Sequence, residues 1–385
     1  MRIFDKRSVS ARVVATLLLF MTGMAPSFAA GEQNDLSQRL QALLRSNRQR
    51  YGIAGQALVV MHDGKVIFSG VDGQIDIDSH RPVKNDSVFP AFSISKLFVS
   101  TLIMQLADQG RLDLGRPASE YVTGLPERWK RISVRDFLDH TSGIPEYFGS
   151  GQGEELTADT RFPPDITAVL ASLANAPLQF VPGTETRYTQ TNYLVLSALL
   201  AACYGKPYPQ VVQEHIIRPL QLKHTWLGPS DVPQDLRATA YTGKNGRLQK
   251  DAAIAWPSYA YGHAELYTTA SDLAHFMQAV ASGKLVSQAT LQRSWQPREL
   301  STGQRGWFAT GWDYGESHGY REVGHDGGAR SRVRIIFKEP LDERAYIIVY
   351  LTNGSAKNVW SRTLVDAVMQ TVAPAEFPAS GLSGS

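Results

Sequence analysis

Strand-forming segments cluster near the two ends of this chain and are scarce between them. Ala57-Leu58-Val59-Val60-Met61 and Val66-Ile67-Phe68 flank His62-Asp63-Gly64-Lys65, and an Asp-Gly between apolar runs predicts a hairpin. Far downstream, Val333-Arg334-Ile335-Ile336-Phe337 and Tyr346-Ile347-Ile348-Val349-Tyr350-Leu351 are joined by a polar turn that contains proline. A lone pair of strands is marginal in water. Both pairs are buried most simply in one antiparallel sheet that the two ends build together. The intervening sequence reads as helices with long loops: candidates lie at 167–175, 192–204 and 208–217, and Thr269-Ala270-Ser271-Asp272 resembles a capping box opening a helix over 273–281. Leu36, Leu40, Leu43 and Leu44 mark one face of a helix over 35–50, and 358–371 reads as a closing helix. The expected fold class is therefore α+β, an α/β sandwich. Its antiparallel sheet is flanked by helices and a mostly helical lobe is inserted in it. The sheet lobe is expected over about 30–92 and 283–373 and the helical lobe over about 93–282, as one domain, 30–373. A cleft between the lobes is the natural place for a site.

The chain begins with basic Arg2, Lys6, Arg7 and Arg12, followed by an apolar run from Val13 to Met24 and then Ala25-Pro26-Ser27-Phe28-Ala29-Ala30. This pattern predicts a signal peptide over 1–29, cut after Ala29, because Ser27 and Ala29 are the small residues a signal peptidase requires. The apolar run is short for a membrane span of about 20 residues, so no stable membrane anchor is expected. The leader carries four bases and one acid, so the whole formal charge of +3 leaves with it. A near-neutral mature chain without a Lys/Arg run is not expected to bind nucleic acid. The one cysteine, Cys203, has no internal disulfide partner and reads as a small core residue. These features suit a secreted or periplasmic protein. The tail, 374–385, is rich in Pro, Gly and Ser and is expected to be flexible.

Ser93 and Lys96 stand as Ser-x-x-Lys at the head of an apolar helix that runs to about Gly110. Three residues are about one helical turn, so both side chains share a face. A hydroxyl needs a base beside it to act as a nucleophile at neutral pH. A lysine held neutral by burial or by a nearby cation meets that need. Three further segments have the composition of a site: Leu138-Asp139-His140-Thr141-Ser142-Gly143, Pro182-Gly183 leading to Tyr188-Thr189-Gln190-Thr191-Asn192-Tyr193, and Gly324-His325-Asp326-Gly327-Gly328 before the strand at Val333. No His-Glu-x-x-His and no histidine pair at metal-ligand spacing occurs, so neither metal nor cofactor is expected.

With these motifs in order over nearly all of the mature chain, the sequence resembles the serine β-lactamase and penicillin-binding-protein-like family, in its class C and D-alanyl-D-alanine carboxypeptidase branch. The resemblance implies that Ser93 is the nucleophile, that Lys96 helps deprotonate it, and that Tyr188 relays the proton to the leaving group. Which of Lys96 and Tyr188 is the general base stays open. It implies an oxyanion hole from the backbone N–H groups of Ser93 and Gly328, and substrate contacts from Gln190, His325, Asp326 and Gly327. His140, Thr141 and Ser142 read as a structural turn.

Two positions depart from the family pattern. Gln190 stands where many members have Asn, with Asn192 as the other candidate. His325-Asp326-Gly327 stands where Lys-Thr-Gly or His-Thr-Gly is usual. An aspartate facing the site would repel a substrate carboxylate. The expected activity is that of an exported serine hydrolase acting through an acyl-enzyme on small-molecule or peptide substrates. D-amino-acid-containing amides and cell-wall-type, peptidoglycan-derived peptides lead, with weak β-lactamase action at best. A carboxylesterase, a true β-lactamase and a non-catalytic binding protein on the same fold remain as alternatives.

Overall fold

The computed structural model describes residues 27–148, 156–252 and 254–379. The expected leader up to residue 26 and the expected tail from residue 380 lie outside them. Helix α1 (Ser27–Tyr51) starts ahead of the expected cut after Ala29. Eight strands form the main sheet: β1 (Gly55–His62), β2 (Lys65–Asp76), β3 (Arg81–Pro82), β4 (Phe308–Ala309), β5 (Trp312–Ser317), β6 (Tyr320–Asp326), β7 (Arg332–Phe337) and β8 (Tyr346–Thr352). Their order is β3-β2-β1-β8-β7-β6-β5-β4, and every pair is antiparallel. The two chain ends meet at the central seam, where Gln56 pairs with Thr352 and Met61 with Ile347.

Both faces of this seam are covered, which is why β1 and β8 are apolar almost throughout. Side chains alternate along a strand. Ala57, Val59, Met61, Ile347, Val349 and Leu351 enter the large core with helices α2 (Lys96–Asp108) and α4 (Ala270–Ala281). Leu58, Val60, Ile348 and Tyr350 face the other way, onto α1 and α5 (Ser361–Val372). Helix α3 (Gln190–Tyr204), buried along most of its length, packs on α2 and carries the inserted lobe.

The structure adds detail to three expectations. Helix α4 packs on β1 and β8, so it belongs to the sheet layer although it precedes the boundary expected at 282. Composition alone does not tell which surface an amphipathic helix covers. The middle of the chain also holds strands, Phe89–Pro90, Thr225–Leu227 and Leu266–Thr268 in one small sheet and Tyr241–Lys244 with Arg247–Lys250 in a hairpin. They are too short to leave a period-2 signature. The start of the tail is anchored: Phe377 is buried against Tyr320 and Tyr346, and Glu376 accepts a hydrogen bond from the Tyr320 hydroxyl. Cys203 is only partly buried, packed against the core's edge. Among the described residues, no helix is long and apolar enough to cross a membrane.

Candidate active site

Ser93 lies in a tight turn, Phe92–Ser95, that leads straight into α2 at Lys96. Phe92, just before it, has φ +49°, a left-handed conformation that strains a residue with a side chain. Neighbouring groups hold the turn. Ser95 Oγ donates to the Phe92 carbonyl at 2.6 Å and accepts from the Leu266 amide at 2.9 Å, while the Ala91 amide donates to the Leu266 carbonyl at 2.7 Å. The short strands of the middle region thus serve the site by clamping this turn. Ser93 is half-buried at the first turn of its helix, where backbone N–H groups have no acceptor within the helix.

Lys96, one turn on, is wholly buried. Its Nζ lies 3.3 Å from Ser93 Oγ and donates to Gln190 Oε1 at 2.6 Å and to the His263 carbonyl at 2.9 Å. Burial pushes its pKa well below the usual lysine range, although the carboxylates of Glu146 and Asp313 pull the other way. The Tyr188 hydroxyl donates to Ser93 Oγ at 2.8 Å. Tyr188 as a whole is 38% exposed, yet desolvation around its hydroxyl pushes the phenol up, so it holds its proton at neutral pH. The chain folds so that one hydroxyl is met by a buried amine of lowered pKa on one side and a protonated phenol on the other.

The end of β6 abuts this turn. A Cβ on Gly327 would stand 2.6 Å from the Ala91 carbonyl, and one on Gly328 would stand 2.8 Å from the Phe92 ring. The Gly327 amide is spent on the Ser331 carbonyl at 2.9 Å. Gly328→Ala is expected to push strand and turn apart and slow acylation of Ser93 on the order of 10²-fold, as loss of an oxyanion donor does. The labelling rate with a fluorophosphonate measures this, and an unchanged rate would show that the strand has no part in the reaction.

His325 faces the site. Its ring centre lies 6.0 Å from that of Tyr188 and 6.1 Å from that of Phe308. Its Nδ1 is 2.7 Å from the Asp326 carbonyl, an acceptor, so Nδ1 carries the proton and Nε2 offers a lone pair that has no partner among the described residues. Burial lowers its pKa, so the imidazole is neutral at pH 7. Asp326 does not face the site, contrary to expectation. Strand alternation turns it to the opposite face of the sheet. There it accepts from Arg332 Nη1 at 2.6 Å, Arg334 Nη2 at 2.7 Å and Ser361 Oγ at 2.6 Å. Repulsion of a substrate carboxylate by Asp326 therefore drops out.

Gln190, not Asn192, reaches the reacting groups. Asn192 is buried behind them, with its Oδ1 accepting from Ser142 Oγ at 2.6 Å and its Nδ2 3.0 Å from His140 Nδ1. His140 also accepts from the Thr189 amide at 3.2 Å and packs its ring 4.5 Å from the Tyr188 ring. The His-Thr-Ser-Gly turn is thus a support under Tyr188. Sequence reasoning missed His263, whose carbonyl holds Lys96, since nothing in its surroundings forms a pattern. It also missed Glu146, although this residue follows the His-Thr-Ser-Gly-Ile-Pro run directly. Among the described residues, no group of His, Cys, Asp and Glu side chains is placed to hold a metal ion.

Known proteins share this arrangement of elements. The family model Beta-lactamase matches residues 40–371. A Bacillus subtilis (strain 168) protein, PbpX, named as a penicillin-binding protein, is 27% identical over 285 residues, 74% of this chain and 68% of its own. The chain spans about two thirds of the length of such curated relatives, from 64 to 68%. Among solved structures, a D-amino acid amidase from Ochrobactrum anthropi SV3, complexed with L-phenylalanine amide, superposes with a TM-score of 0.73 at 21% identity, over 89% of this chain and 99% of its own. EstCE1, a hydrolase with promiscuous acyltransferase activity, gives 0.70 at 21% identity, over 88% and 99%.

Proposed function

The chain belongs to the beta-lactamase family of serine hydrolases, and from that premise we propose that Ser93 is its nucleophile, Lys96 the general base and Tyr188 the donor to the leaving group. The observation that carries this reading is the pair of contacts on Ser93 Oγ, 3.3 Å from Lys96 Nζ and 2.8 Å from the Tyr188 hydroxyl. A neutral amine has two N–H groups and one lone pair. Gln190 Oε1 and the His263 carbonyl accept both N–H groups, so the lone pair is left for the Ser93 proton. Ser93 Oγ then attacks the acyl carbonyl, and the Ser93 and Gly328 amides hold the oxyanion. As the tetrahedral intermediate collapses, Tyr188 gives its proton to the departing nitrogen or oxygen and regains one from Lys96. Water enters by the reverse path, leaving acid product and free Ser93.

The acyl donors we propose are amides and peptides containing D-amino acids, cell-wall-type peptides among them. The likeness to a D-amino acid amidase supports this. So does the strand at 325–327: where a cation would hold a substrate carboxylate, this chain presents a neutral imidazole with a free acceptor. Arg330, the next cation along the chain, is tied to Asn358 Oδ1 at 2.9 Å. A β-lactam carboxylate would find little to bind, so β-lactamase action should be weak. An ester substrate has no such carboxylate either, and the likeness to EstCE1 favours esterase action as the second reading. Export to the periplasm or exterior follows from the expected leader.

Intact mass after exposure to a fluorophosphonate, and separately to a penicillin, tests this on wild type and Ser93→Ala. A fluorophosphonate adduct that disappears in Ser93→Ala is expected. A stable penicillin adduct would favour the peptidase reading, and labelling by fluorophosphonate alone an amidase or esterase. Folded wild-type protein that takes neither probe would sink the enzymatic reading of Ser93.

A further inference from the structure

Two residues that follow the His-Thr-Ser-Gly turn grip the partners of Lys96 from behind. Helix α3 begins without a cap of its own, since the side chain of Thr189 accepts no bond from the first turn. Glu146 supplies the cap from another segment. Its Oε2 accepts from the Gln190 amide at 2.8 Å and its Oε1 from Thr191 Oγ1 at 3.0 Å. Gln190 is the residue whose side-chain oxygen receives Lys96 Nζ. The next residue, Tyr147, is buried, and its hydroxyl is hydrogen-bonded at 2.8 Å to Nε2 of His263, whose carbonyl receives Lys96 Nζ. One dipeptide therefore fixes both acceptors that orient the amine toward Ser93.

Charge adds a second line of argument. The groups around Lys96 are Ser93, the rings of Tyr188 and Tyr193 at 4.8 and 5.4 Å, the imidazoles of His140, His263 and His325, and the carboxylates of Glu146 and Asp313. Burial keeps the three imidazoles neutral. Asp313 is paired with Arg334 at 3.1 Å. Glu146 is bonded only to backbone N–H groups and a hydroxyl, and has no cationic partner among the described residues. Of the two carboxylates, Glu146 is the one whose negative charge no described cation offsets.

We propose that Glu146 and Tyr147 are positioning residues for Lys96, holding its two acceptors in place, and that the Glu146 carboxylate governs the charge on the amine. The proposal rests on the reading of Lys96 as the base. Its sign is fixed. A carboxylate favours the ammonium form, so removing it lowers the pKa of Lys96 and moves the onset of activity to lower pH.

The test uses full-length protein with Glu146→Gln and Tyr147→Phe. Glu146→Gln keeps one acceptor oxygen for the Gln190 amide and loses the charge. Fluorophosphonate labelling rates are measured from pH 5 to 9. In parallel, the Lys96 ε-carbon is followed by NMR of selectively ¹³C-labelled lysine, assigned through Lys96→Met. In Glu146→Gln the acidic limb and the NMR midpoint should both move down by about half a unit or more. In Tyr147→Phe the plateau rate should fall about 3- to 10-fold with the midpoint unmoved. A slower plateau with an unmoved NMR midpoint in Glu146→Gln would reduce the residue to a helix cap and overturn the proposal, as would a Tyr147→Phe rate within twofold of wild type. The NMR midpoint does not depend on Ser93 chemistry. A wild type that fails to label, or a label that survives Ser93→Ala, would count against the reading of Ser93 alone.

Discussion

Replacing Lys96 by methionine is expected to slow acylation of Ser93 by about 10³-fold while leaving the protein folded, within the range general-base catalysis supplies. Methionine suits the position because Lys96 is wholly buried beside the rings of Tyr188 and Tyr193, and an unbranched side chain fills the space with little strain. The loss comes from chemistry. Ser93 keeps its oxyanion donors and its contact with Tyr188, but no group remains to take its proton. Residual labelling should also lose the acidic limb of the pH profile, because the group that titrates there is gone. Tyr188→Phe should cost about 10²-fold and retain that limb, since the ring still packs on His140 and Lys96 still accepts the proton. Labelling rates against pH for both variants separate the two roles. If Tyr188→Phe removed the limb and Lys96→Met kept it, the roles of base and donor would have to be exchanged.

The largest loss of stability is expected from Arg334→Met, at about 3–5 kcal/mol, the usual cost of breaking a buried ion pair from one side. The Arg334 side chain is only 3% exposed, and its guanidinium meets Asp326 at 2.7 Å, Asp313 at 3.1 Å and Glu322 at 3.9 Å. Arg332 shares Asp326 at 2.6 Å, and Arg362 on α5 reaches Glu322 at 3.5 Å, so the network ties three strands of the sheet to its covering helix. Without Arg334, Asp313 and Asp326 lose a shared, buried cation. The melting temperature should fall by roughly 4–7 °C, read by differential scanning calorimetry at neutral pH. A change within one degree would mean that water or Arg332 replaces the lost cation. Asp326→Asn probes the same layer and the corrected orientation together. Because the carboxylate faces away from Ser93, turnover of matched acyl donors with and without a carboxylate should change by the same factor. A selective gain for the carboxylate-bearing donor would return Asp326 to the site.

Ser93 and Lys96 were legible because their contact is local: one helical turn joins them whatever the rest of the chain does. The sheet built from both ends was legible because apolar runs with turn signals persist without knowledge of their partners. Tyr188, Gln190 and the 324–328 strand could be named only through resemblance, since nothing in their own spacing brings them to Ser93. The orientation of Asp326 was not legible at all. Alternation says that His325 and Asp326 face opposite ways, but which of the two faces the cleft depends on the register of β6 against β7, where Asp326 pairs with Arg332. Glu146, Tyr147 and His263 were missed for a related reason. A cap supplied from a distant segment and a backbone carbonyl leave no sequence signal.

The sequence by itself determined the class of fold, the Ser-x-x-Lys pair and the order of the motifs, because periodicity and short-range spacing are written in neighbouring residues. Only the tertiary structure decided which groups surround the Ser93 hydroxyl, which side of the sheet carries charge and which side carries the site, and which segment caps the helix that bears Gln190. Those outcomes depend on burial and on contacts between residues far apart in the chain, and desolvation arises only once the chain has closed around them.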